Sequence, residues 1–176
     1  MRGQKMTDAK ASSKRIAVAA LFSVIVFVSK VALPSPLDKI LVIVQALLLS
    51  LSSLMLGRLG ATYVATIGGL LTQIWRPALF PFSLAFAVAY GLMIDGLFYM
   101  FKVKTPSGDI KLGRLVISLI LATCTIGVLS MYATVMLGFM PWSPWLYAAV
   151  LAGGTVSGAL AGYLTPLLWR KYFSKL

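Results

Sequence analysis

The sequence contains no histidine, no glutamate and no asparagine, and its 176 residues include a single cysteine. A lone cysteine cannot form a disulfide within the chain, so a disulfide framework is excluded. Without histidine, a histidine-based metal site and a Ser-His-Asp triad are both impossible. The only acids are four scattered aspartates, which makes paired-carboxylate catalysis unexpected. These absences argue against an enzyme, and we predict neither a metal nor a cofactor.

Acidic residues are also scarce relative to basic ones, since sixteen lysines and arginines face four aspartates and give a net charge of +12. The chain is 60% hydrophobic and 11% charged, whereas soluble domains are about 45–50% apolar and about 25% charged. The composition therefore indicates an integral membrane protein. Because the basic residues flank apolar runs and form no basic stripe, nucleic acid is not an expected partner.

Six apolar runs have about the length of a membrane-spanning helix, which needs about 20 apolar residues. They are Ile16–Ala32, Leu37–Leu56, Leu59–Trp75, Phe80–Phe101, Leu112–Met140 and Pro144–Trp169. The predicted fold class is an all-α membrane protein, with a six-transmembrane-helix bundle over residues 16–169. A basic N-terminal segment, 1–15, and a basic tail, 170–176, complete the predicted domain organisation.

The distribution of basic residues predicts the orientation of this bundle. If the N-terminus is cytoplasmic, thirteen basic residues lie on the inner side and only three on the outer side, namely Lys30, Lys39 and Arg76. Cytoplasmic connections carry an excess of lysine and arginine. Both termini are therefore predicted to be cytoplasmic, in a cell membrane whose lipids surround the helices.

The predicted outer connections are rich in proline and aromatic residues. The segment "TQIWRPALFPFS", residues 72–83, is the richest of them, and Ser143-Pro144 there is typical of a helix start. Two interpretations stay open. The rings form an interfacial aromatic belt, or they wall a pocket with a few polar groups. The pocket interpretation predicts these substrate-binding residues: Gln73, Trp75, Arg76, Phe80, Trp142, Trp145, Gln45 and Asp38.

Asp95 lies inside the fourth predicted span. An ionisable residue within a membrane is unfavourable and is a functional hypothesis by default. The structural alternative is a pair with Arg58, with Lys102 or with a backbone group. A proton relay would need several such residues, and only Asp95 lies well inside a span.

Small residues at four-residue spacing predict close helix packing. They occur at Gly154, Gly158 and Gly162 in the sixth span, at Ala61, Ala65 and Gly69 in the third, and at Ala19 and Ser23 in the first. Such faces pack within the bundle or dock on a partner membrane protein. Ala19 and Ser23 are the best candidates for partner docking, because they lie near the cytoplasmic end.

The whole layout resembles the S components, the substrate-binding membrane subunits, of energy-coupling factor (ECF) vitamin transporters. The resemblance covers residues 16–169 and rests on that layout and on "RIAVAALFSVIVFVSKVALPSPLDK" and "LMLGRLGATYVATIGGLL". Family members usually carry Ala-xxx-Ala in the first helix, for which Ala19 and Ser23 are the nearest match here. The metal-transporting members need a histidine that this chain lacks.

The resemblance implies capture of a vitamin or precursor at the outer face, such as a pyrimidine, thiamine-like or flavin-like compound. It also implies a transmembrane coupling subunit and ATPase subunits as partners, because the chain has no phosphate-binding loop of its own. One alternative is a small accessory subunit of a larger membrane complex, with no ligand. Another is a stand-alone carrier or channel, although neither a repeat nor a polar path is evident.

Overall fold

The structure is a computed structural model that describes residues 2–32, 41–75, 77, 81–105, 109–138 and 140–173. Its helices are α1 (Arg2–Val31), α2 (Val42–Leu56), α3 (Gly60–Trp75), α4 (Phe82–Met100), α5 (Leu112–Met136) and α6 (Pro144–Leu168), and a π-helical turn, Trp169–Phe173, continues α6. Over these residues the only β-type pairing is an isolated bridge between Lys104 and Ile110. The all-α prediction is confirmed for this part of the chain.

Among the described residues, three stretches are long and apolar enough to cross a membrane, namely α4, α5 and α6 with its π-helical turn. Helix α2 is apolar but has only 15 residues. These helices indicate a membrane protein by their length and composition.

Some helix boundaries differ from those of the predicted spans. Helix α1 begins at Arg2, whereas the predicted first span begins at Ile16. The division of the chain at residue 15 stays a prediction. Helix α5 ends at Met136, and Gly138 then adopts a φ of +75°, which suits glycine after a helix end. The predicted start of the last helix is confirmed, because Ser143 is extended and Pro144 is the first residue of α6.

Helix α2 forms the centre of the bundle. Ten of its fifteen residues are buried, and it packs against α1, α3, α4 and α6. The hydroxyls of Ser50 and Thr165 are hydrogen-bonded at 2.6 Å between α2 and α6. At the end of α2, a Cβ on Gly60 would collide with the carbonyl oxygen of Ser52, so the α2–α3 turn requires glycine there.

The glycines of α6 pack against α5 within the bundle. A Cβ on Gly158 would lie 2.7 Å from Cα of Ile120, and one on Gly162 would lie 2.8 Å from Cα of Val116. Real side chains do not approach this closely, so the two backbones meet only because the side chains are absent. Of the two interpretations of this glycine ridge, the structure shows packing within the chain.

Helices α3 and α4 meet along a second close seam, which we call the α3–α4 seam. A Cβ on Gly91 would lie 2.7 Å from Cα of Thr62 and 2.9 Å from Cβ of Ala65, and one on Gly69 would lie 3.0 Å from Cβ of Ala87. The four residues from Ala65 to Gly69 in α3 are matched by the four from Gly91 back to Ala87 in α4, so the helices are antiparallel and in a regular register. This register decides which polar residues meet at each end of the seam.

Candidate functional site

Because α3 and α4, and likewise α5 and α6, are antiparallel, the chain connections gather at two opposite ends of the bundle. The α2–α3 turn and the α4–α5 connection lie at one end, which we call the basic end. Its described basic residues are Arg15, Arg58, Lys102, Lys104, Lys111, Arg114, Arg170 and Lys171. The α3–α4 and α5–α6 connections lie at the other end. We call it the tryptophan end, after Trp75, Trp142 and Trp145.

Gln73 is the most unusual side chain at the tryptophan end. It lies in the last turn of α3 and is only 8% exposed, yet within the described structure neither Oε1 nor Nε2 has a hydrogen-bond partner. It follows Gly69 by one helical turn, so the register of the α3–α4 seam places it level with the start of α4. Ser83, a half-buried residue, lies in that first turn of α4. An unpartnered buried polar group is unfavourable by about 1–3 kcal/mol.

Gln45 is the second buried carboxamide near this end. It is the fourth residue of α2, which starts at the tryptophan end, and it is 9% exposed. The chain has only three glutamines and no asparagine. Two of the three carboxamides are thus buried, and both lie in the half of the bundle away from the α2–α3 turn.

The three tryptophans of the tryptophan end point away from the interior of the bundle. Trp75 is 66% exposed, Trp142 is 68% and Trp145 is 82%. Trp75 follows Gln73 by two residues, which is about 200° around a helix with 3.6 residues per turn. Gln73 and Trp75 therefore lie on opposite sides of α3, and their joint part in a binding site stays a prediction. The exposed rings fit the interfacial aromatic belt, which was the other interpretation.

Three further predicted binding residues, Arg76, Phe80 and Asp38, lie outside the described residues, so their contribution stays a prediction. A shallow groove elsewhere, between α5 and α6, contains none of the predicted site residues. It is lined by Cys124, Thr125, Val128, Leu129 and Leu151. Among the eight predicted binding residues, only Gln45 and Gln73 are described as buried.

Asp95 caps the N-terminus of α3 at the basic end of the α3–α4 seam. Its Oδ1 accepts the N–H of Ala61 at 3.2 Å, and its Oδ2 accepts the N–H and the hydroxyl of Thr62 at 2.8 and 2.7 Å. The carboxylate is 8% exposed. A helix N-terminus has unpaired N–H groups and a partial positive charge, so it stabilises an anion.

This geometry is one of the structural alternatives foreseen for Asp95, a pair with backbone groups. The guanidinium of Arg58 lies instead 5.8 Å from the ring centre of Tyr99. The sequence analysis missed Thr62 as the partner of Asp95. The signal was present, because a threonine directly after "GRLGA" is in the first turn of a helix whose N–H groups need acceptors.

Lys104 is another residue that the sequence analysis did not single out. Its ammonium donates to the carbonyl oxygen of Leu54 near the end of α2 at 3.4 Å, and it lies 5.3 Å from the ring centre of Trp169. A cation is favourable at a helix C-terminus and over an aromatic face. Lys104 therefore ties the α4–α5 connection to both α2 and the end of α6.

The predicted docking pair of α1 faces inward. Ser23 is fully buried, and its hydroxyl donates to the carbonyl of Ala19 at 3.0 Å. A Cβ on Gly68 of α3 would lie 3.1 Å from the carbonyl oxygen of Ser23. The prediction that Ser23 belongs to a surface for a partner is wrong, because its small side chain serves the packing of α1 on α3. The exposed large apolar residues of α1 are Ile16, Leu21, Val24, Ile25 and Val28.

Comparison with known proteins identifies no relative: no family model, no curated protein and no solved structure matches the chain. Any functional conclusion therefore rests on the residues and their geometry.

Proposed function

We propose that the chain is the substrate-binding subunit of an ECF-type importer, which captures a small heterocycle of the vitamin class at its tryptophan end. The single observation that carries the proposal is Gln73, a buried carboxamide at the end of the α3–α4 seam that has no hydrogen-bond partner in the part of the chain that the structure describes. A ligand that forms hydrogen bonds to this amide would remove the free-energy cost of an unpartnered buried polar group, about 1–3 kcal/mol.

The charge distribution supports an outward-facing site. Within the proposal, the basic end is cytoplasmic, in keeping with the excess of basic residues on that side of membrane proteins. The tryptophan end then faces outward, and exposed tryptophans at headgroup depth anchor it. Substrate captured there reaches the cytoplasm when the subunit topples in the membrane. Partner ATPase subunits supply the energy, since this chain has no phosphate-binding loop.

The proposed coupling subunit docks on a different face of α1 from the one that the sequence suggested. Ala19 and Ser23 are used for packing on α3, whereas the other side of α1 exposes Leu21, Val24 and Val28. These residues follow a helical period and lie side by side on one surface. Leu21→Arg in α1 should therefore abolish co-purification of a coupling subunit from the native membrane. Unchanged co-purification would contradict docking through this face.

Native mass spectrometry of the purified chain tests ligand capture. We expect a small molecule to co-purify with the wild type and to be lost from Gln73→Leu. The matched control is Thr72→Val, because Thr72 is also buried but its hydroxyl already bonds to the carbonyl of Gly68 at 2.7 Å. Absence of any bound molecule from the wild type, or its full retention by Gln73→Leu, would contradict the proposal.

The second candidate function is a small accessory subunit of a larger membrane complex, without a ligand. The outward-facing rings of Trp75, Trp142 and Trp145 favour it, because they are available to lipid or to partner helices. It predicts a stoichiometric membrane partner in a pull-down, with neither an ATPase subunit nor a bound small molecule. Recovery of an ATPase subunit in the same pull-down would exclude this candidate.

A further inference from the structure

We propose, building on the function above, that Gln73 recognises a neutral ring carrying an N–H next to a C=O, as in a lactam, an imide or a cyclic urea. The inference concerns the chemical class of the substrate rather than its identity. It depends on which bonds the side chain leaves unmade and on the position of that side chain in the α3–α4 seam.

Among the described residues, neither the oxygen nor the nitrogen of the Gln73 carboxamide has a hydrogen-bond partner. A primary carboxamide presents an acceptor, Oε1, and a donor, Nε2, in one plane and on one edge. A carboxylate ligand would pair with Nε2 and repel Oε1, and an ammonium ligand would do the reverse. A neighbouring N–H and C=O on a ligand satisfy both atoms at once through two parallel hydrogen bonds.

The apolar surroundings of Gln73 make it reject more strongly any ligand that lacks one of the two hydrogen-bonding groups. The adjacent turn of the seam consists of Gly69 against Ala87 and Leu84, which are small or apolar and offer no side-chain hydrogen bond. Neighbouring Thr72 donates to its own helix. In apolar surroundings an unmade hydrogen bond is not replaced by water, so a ligand lacking one partner atom is rejected strongly.

The position of the amide also defines the route of approach. Gln73 is two residues from the end of α3, level with the first turn of α4, so the tryptophan end is the nearest side from which a ring could approach. Both polar atoms of Gln73 are buried, so the side chains that cover the amide must move aside for the ring to reach it. Half-buried Ser83 lies at the same level of α4. The amide edge of the ligand therefore enters first, and the rest of the ring stays toward the α3–α4 connection.

Calorimetric titration of the full chain in detergent micelles with three small probes tests the inference. The probes are uracil, pyrrolidinone and imidazolidinone, each paired with its fully N-methylated counterpart, which keeps the C=O but has no N–H. We expect at least one probe to bind more tightly than its counterpart by about tenfold or more, equivalent to about 1.4 kcal/mol. Thr72→Val should keep this preference.

In Gln73→Met, which has a similar shape without the amide, the preference should fall to less than about twofold, since both hydrogen bonds are gone. Three results would overturn the inference. These are binding of no probe, equal binding of a probe and its counterpart, and a preference that persists in Gln73→Met. If a molecule without the N–H and C=O pair co-purifies with the wild type, this inference fails while the proposed function stands. If nothing co-purifies, the proposed function itself fails.

Discussion

Replacing Asp95 with alanine should destabilise the protein by separating α3 from α4 at the basic end. The substitution leaves the N–H of Ala61 and the N–H and hydroxyl of Thr62 without their acceptor. Because the carboxylate is 8% exposed, water has poor access to replace it. The start of α3 then has unpaired donors beside a tight backbone contact at Gly91.

The expected size of the effect follows from the three hydrogen bonds. Individual side-chain bonds in membrane proteins contribute on average about 0.6 kcal/mol and at most about 1.7 kcal/mol. At about 1 kcal/mol per bond, the three bonds together contribute about 3 kcal/mol. For a chain of this length, a loss of about 3 kcal/mol lowers Tm by about 6–12 °C.

Thermal unfolding of purified protein in detergent, followed by circular dichroism at a fixed scan rate, measures this change. A double-mutant cycle with Thr62→Val should give a coupling energy of about 0.5 kcal/mol or more, because the two residues share a bond. Thr66→Val is the control, since the hydroxyl of Thr66 bonds to the carbonyl of Thr62 within its own helix. An unchanged Tm for Asp95→Ala, or zero coupling to Thr62, would refute the capping role.

Two further predictions use the same unfolding measurement. Gly158→Ala should lower Tm, because its Cβ would lie 2.7 Å from Cα of Ile120, whereas Gly153→Ala, with no atom within 4 Å, should raise stability by up to about 1 kcal/mol. Equal effects of the two would contradict the close α5–α6 contact. Lys104→Met should cost about 0.5–1 kcal/mol, since the ammonium leaves the ring of Trp169. If Lys104→Met matches the wild type, that contact contributes nothing.

The number and order of helices could be predicted because the length of an apolar run and the residues that begin or end a helix are local properties of the sequence. Ser143-Pro144 is an example, since a proline with no N–H to satisfy fits only the first turn of a helix. The early start of α1 at Arg2 was not predicted, because the span was placed by its apolar residues. A helix can extend beyond the apolar span, since many polar residues also have a high helix propensity.

The direction of each side chain was harder to predict. Small residues at Ala19 and Ser23 indicate that something packs closely, but the spacing does not say whether the neighbour is α3 or another protein. The bond between Asp95 and Thr62 depends on the register of two helices, which is a tertiary property. The separation of Trp75 from Gln73 was accessible from helical periodicity, but their closeness in sequence suggested a shared pocket.

The shortness of central α2 has a consequence for how the protein would fit a bilayer. With 15 residues it is about 22 Å long at 1.5 Å per residue, whereas α5, with 25, is about 37 Å long. A hydrocarbon core is about 30 Å thick. None of the residues of α2 is exposed, so in a bilayer its neighbours would shield most of it from lipid. Hydrophobic mismatch would then be felt mainly by the helices that expose large apolar side chains, and among these α3 has 16 residues whereas α5 and α6 have 25. Bilayer thickness would therefore act on the outer helices more than on α2.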